Sequence, residues 1–158
     1  MSCGVALAVS LLLSDPNVAL SAAQPTVAAD APVSVASEPL FADIVARSGA
    51  LHGEVQGWLA AGAGDQAGFF AGPAFSRFKT QASDLAALDM QGHLILKERG
   101  TDNDLKCILR GISEDIPVKV AAVETAPTPA ERRVALDELA YLLNDNVEVI
   151  TAPPAPEA

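Results

Sequence analysis

Residues Thr101 to Val123, TDNDLKCILRGISEDIPVKVAAV, decide how the rest of the chain is read. Leu105, Ile108, Leu109, Ile112, Ile116, Val120 and Val123 recur at intervals of three and four. At about 100° per residue they fall on one stripe, so the spacing predicts a helix with one face turned to a core. Thr101 supplies a capping hydroxyl, and Asp102 and Asp104 follow in the first turn, where acids offset the positive end of the helix dipole. Pro117 has no N–H and crowds the preceding turn. Because the apolar phase runs on from Ile116 to Val120, the pattern predicts one helix kinked at Pro117. The alternative is two short helices, the second capped from within Ser113 to Asp115.

Cys107 stands off this stripe, about 200° round the helix from Leu105 and beside Arg110, Gly111 and Glu114. A thiol next to a glycine is where a second chain can come close. Cys107, Arg110, Gly111 and Glu114 are therefore the candidate partner-binding residues. The plainer reading is a boundary cysteine with no task.

The same helical period recurs on both sides. Phe41, Ile44, Ser48, Leu51, Val55 and Trp58 mark a helix that begins at Leu40 and ends near Gly62. Ala61 to Gly72, AGAGDQAGFFAG, is a glycine-rich break whose Phe69 and Phe70 are expected under the end of the bundle. It is no phosphate loop, because no strand precedes it and no Gly-Lys-Ser/Thr follows. Pro73 then suits a first helical turn. Phe75, Phe78, Ala82, Leu85, Leu88, Gly92 and Leu96 carry the second stripe up to Arg99-Gly100, a usual helix stop. Thr128-Pro129-Ala130-Glu131 is a capping box with proline at the first helical position. The fourth stripe is Val134, Ala135, Leu139, Leu142, Leu143, Val147 and Ile150. Four amphipathic segments joined by short connections predict an all-α fold, an antiparallel up-down four-helix bundle over residues 40–150.

The ends differ in composition. Residues 1–23 contain a short apolar run, Gly4 to Leu13, and the small residues Ser21-Ala22-Ala23, as in a secretory signal cleaved before Gln24. No Lys or Arg precedes Arg47, so the basic front end of such a signal is missing. The run is too short to span a bilayer. Residues 24–39, rich in Ala, Pro, Val and Ser, read as a flexible spacer, and residues 151–158 as a disordered Pro/Ala tail. Export would place the protein in the periplasm or outside the cell, with Cys107 as its one remaining cysteine.

Half of the 158 residues are apolar and only 4% aromatic, which favours helix over sheet. Ten basic residues against twenty acids give a net charge of −10, with no clustered basic face of the kind nucleic acid or anionic lipid requires. Among candidate ligand-binding residues, His52 falls toward the apolar face of the first helix, and Asp89 and His93 form an i,i+4 pair in the second. Such a carboxylate could hold a functional imidazole. The plainer reading is a boundary histidine and a buried pair that satisfies itself. His52 and His93 would lie roughly 15 Å apart along the bundle, so they do not make one site. Zinc at His93 and Cys107 lacks further ligands, the haem-attachment pattern Cys-x-x-Cys-His is absent, and no cofactor is implied.

No nucleophile has a histidine base in reach, and no carboxylate pair is set on facing core positions, so the chain reads as non-enzymatic. The expectation is a small exported helical bundle that binds a protein partner or itself in the bacterial envelope. The alternatives are a bundle binding a small ligand, haem or metal, and a thiol-based redox sensor at Cys107.

Overall fold

Pro117 does not end the third helix. In the computed structural model, which describes residues 34–66, 68–100 and 103–152, one unbroken helix runs from Asn103 to Thr125 with Pro117 on its exposed side. The two-helix alternative is thereby excluded. The helices are α1 (Pro39–Ala61), α2 (Pro73–Arg99), α3 (Asn103–Thr125) and α4 (Pro129–Thr151). The segment read as a signal, residues 24–33 of the spacer, the capping Thr101 and residues 153–158 lie outside the described residues.

Each helix packs on its two neighbours in a ring, α1–α2–α3–α4 and back to α1, with α2–α3 and α1–α4 the closest pairs. Short connections between successive helices make the bundle antiparallel, up-down-up-down. The boundaries follow local chemistry. Pro39, Pro73 and Pro129 sit in first turns, where a missing N–H costs nothing. Gly62 and Gly100 close α1 and α2 in the left-handed conformation, φ 60° and 66°, which a side chain would resist. Thr128 caps α4 as the sequence predicts, accepting from the Glu131 N–H at 3.2 Å while its hydroxyl donates to the Glu131 carboxylate at 2.6 Å. Ahead of α1, Val35 is buried, and Glu38 forms a two-point ion pair with Arg99 at the end of α2.

The predicted stripes form the core. Of the seven α3 positions, six are buried and Ile108 is half-buried. On α4 the pattern differs at two places. Val134 is exposed and Val147 half-buried, while Leu136, Ala140 and Asn146 face inward. Trp58 packs against Phe69, Phe75 and Phe78, with ring centres 4.8–6.0 Å apart, so the aromatics do gather under one end. Arg132 ties the glycine-rich connection to α4: its guanidinium donates to the Gly64 and Ala126 carbonyls and lies 4.7 Å from the Phe70 ring. Gly92 lets α2 approach closely, since a Cβ there would stand 3.1 Å from Leu109 and 3.3 Å from Phe41.

Candidate functional site

A polar layer crosses the apolar core. Among the described residues the buried polar side chains are Ser48 of α1, Asp89 and His93 of α2, Ser113 of α3 and Asn146 of α4. Buried polar groups need partners, and these bind helix to helix. Ser48 Oγ donates to the Leu143 carbonyl at 2.8 Å, and Ser113 Oγ to the Ala86 carbonyl at 2.7 Å. Asn146 Nδ2 donates to both oxygens of Asp89, at 3.2 and 3.1 Å. This last bond joins α2 to α4, helices that are not neighbours in the ring, and so spans the diagonal of the bundle. Burial pushes the Asp89 carboxyl up to about 7, and the Asn146 amide pulls against that shift.

The Asp89–His93 pair read from the sequence does not form. One helical turn brings the two residues to the same side of α2, but each finds its partner on a different helix. Asp89 meets Asn146, and His93 Nδ1 donates to the Lys106 carbonyl of α3 at 2.6 Å. Asn146 was hidden in the sequence because α4 is amphipathic through Leu142, Leu143 and Ile150 without it.

His52 sits at the boundary of the apolar face. It lies about 60° round α1 from the middle of the buried line and is half-buried. There it joins Gln56, Asp137, Ala140, Tyr141 and Asn144 in an open furrow of about 430 Å³ between α1 and α4. Its Nε2 is 3.4 Å from Gln56 Nε2. His52, Asp89 and His93 thus occupy separate surroundings. Among the described residues, no group of three or more His, Cys, Asp or Glu is placed to hold a metal ion. Likewise, no described helix is long and apolar enough to cross a membrane.

The four residues assigned to a partner surface lie on the outside of α3. Cys107 is exposed, and Arg110 and Glu114 pair with each other at 3.8 Å across one turn. Gly111 has no atom within 4 Å of where a Cβ would be. A second cleft, about 200 Å³ between α2 and α3, has Ala82, Ile116 and Val120 for walls and is flanked by the Lys79–Glu124 ion pair at 2.8 Å.

A more unusual face lies on α1. Ala42, Ala46, Gly49, Gly53, Gly57 and Ala60 are all exposed. At about 100° per residue they stay within about 40° of one line, opposite the buried Ile44, Ser48, Leu51 and Val55. A Cβ on Gly49, Gly53 or Gly57 would meet nothing within 4 Å. Each helix-interior glycine costs about 1 kcal/mol relative to alanine. Gly92 recovers that cost in close packing, whereas these three meet no side chain among the described residues that would recover it. Across the furrow, α4 carries Tyr141 and Val134 one heptad apart, 75% and 57% exposed. The signal for this face, Gly49-x-x-x-Gly53-x-x-x-Gly57, is legible in the sequence. Attention to apolar periodicity alone passes over it, because it marks the side without apolar residues.

No family model matches this chain, and neither a curated protein nor a solved structure is significantly similar to it.

Proposed function

We propose that this protein is a non-enzymatic binding or assembly module of the bacterial envelope, and that the outer face of α1 is its contact surface. The observation that carries the reading is the bare line from Gly49 to Gly57. A helix face without side chains lets a second helix come close enough for backbone contact, the geometry that small-x-x-x-small patterns serve. Tyr141 stands beside it across the furrow, and exposed tyrosine is a favoured contact residue at protein interfaces. The charged groups flanking the line, Asp43, Arg47 and Glu54, are each engaged in ion pairs.

Two further points support the reading. The titratable side chains of the core, Asp89 and His93, are closed off from any substrate, which suits binding better than catalysis. The apolar run Gly4 to Leu13, followed by Ser21-Ala22-Ala23, suits export to the periplasm or beyond. With a net charge of −10, nucleic acid is not the expected partner.

The test is photo-cross-linking in the producing cell from position 50, on the flank of the glycine line. A discrete adduct that disappears when Gly53→Leu is added supports the reading, and an adduct of twice the chain mass identifies the partner as a second copy. Absence of an adduct, or one indifferent to Gly53→Leu, rejects the α1 face.

A further inference from the structure

Hydrogen bonding around Asp89 does not balance while its carboxyl is ionised. The pair then holds three acceptor oxygens, Oδ1 and Oδ2 of Asp89 and Oδ1 of Asn146, against one donor group, Asn146 Nδ2. Asn146 Oδ1 is buried without a partner. The neighbouring donors are committed elsewhere: Ser48 to Leu143, Ser113 to Ala86 and His93 Nδ1 to Lys106. A proton on Asp89 lessens the surplus, because one acceptor oxygen becomes the donor that the pair lacks.

We propose that Asp89 is a proton-operated latch across the diagonal of the bundle: the neutral carboxyl is accommodated between α2 and α4, whereas ionisation buries there a charge that the single Asn146 amide does not offset, and loosens the two helices.

The charged groups on the surrounding helices leave this carboxyl to itself. On α1, Arg47 is exposed and held by Asp43 at 2.9 Å. On α2, Asp84 is exposed and His93 is bonded to α3. Lys106 on α3 and Asp145 on α4 are half-buried, and among the described residues no Lys or Arg is buried. Burial therefore dominates, and the carboxyl rises to about 7. An unfolded aspartate titrates near 4. Between about pH 4 and pH 7 the folded chain holds a proton that the unfolded chain releases, so stability falls as pH rises through that window and levels off above it.

The test is urea unfolding of the full chain and of Asp89→Asn between about pH 4 and pH 8. Relative to Asp89→Asn, the wild-type unfolding constant should rise on the order of a thousandfold across that range. Comparison with the variant removes the contributions that the two proteins share. Equal pH dependence in the two proteins overturns the proposal. The side-chain carboxyl carbon resonance of Asp89 in the folded wild type decides the matter independently, should the variant not fold. A transition near neutrality supports the latch, and an ionised signal throughout refutes it.

Discussion

Replacing Gly49, Gly53 and Gly57 together by alanine should make the isolated protein more stable. All three lie in the interior of α1, and the added methyl groups meet nothing within 4 Å, so neither strain nor new packing enters. The gain is then the helix-propensity difference alone, about 0.8–1 kcal/mol per site and about 2.5 kcal/mol for the triple variant. Gly92→Ala makes the matched control. The same methyl group there would press on Leu109 at 3.1 Å and Phe41 at 3.3 Å, both in the core. Overpacking of that kind costs about 1–3 kcal/mol, which cancels or exceeds the propensity gain. Urea unfolding followed by far-ultraviolet circular dichroism measures both. A triple variant no more stable than wild type, or a Gly92→Ala protein that gains as much per site, would refute the claim that the α1 glycines go unused within the fold.

Other expectations concern single positions. Asn146→Ala should move the loss of stability to higher pH, because the Asn146 amide opposes the rise of the Asp89 carboxyl; an unmoved midpoint in pH-dependent unfolding would count against the pairing. Cys107→Ser and Arg110→Glu should each change stability by no more than about 0.5 kcal/mol, since both side chains are exposed. Thermal unfolding checks this, and a loss of several kcal/mol would mean that α3 is rotated. Arg132→Met removes two hydrogen bonds to backbone carbonyls and a ring contact, and should cost about 2 kcal/mol. Its companion signature is faster amide exchange in the Gly62–Gly72 connection.

Helix phase made the bundle legible in advance. Six of seven predicted α3 core positions are buried, and the proline and glycine punctuation places the helix ends to within a residue or two. The polar layer was only half legible. Asp89 stands out as a charge on an apolar stripe, but its partner is 57 residues away on a diagonal helix. Nothing local distinguishes Asn146 from a surface asparagine, and the nearer candidate, His93, is drawn off by the Lys106 carbonyl. Val134 misled for a related reason: one β-branched residue in the second turn of α4 resembles the start of the stripe that Ala135 and Leu136 in fact begin. The glycine line shows the converse. A residue that adds nothing to an apolar pattern becomes informative only when the structure shows that no neighbour among the described residues uses the space.

The most direct test of the account compares amide hydrogen exchange in protein isolated gently from its host with that in the purified, dissociated monomer. If α1 is the contact surface, amides between Ala42 and Ala60 exchange more slowly in the native assembly while those around Cys107 to Glu114 do not change. Unaltered exchange along α1, with protection appearing on α3 or nowhere, would contradict it.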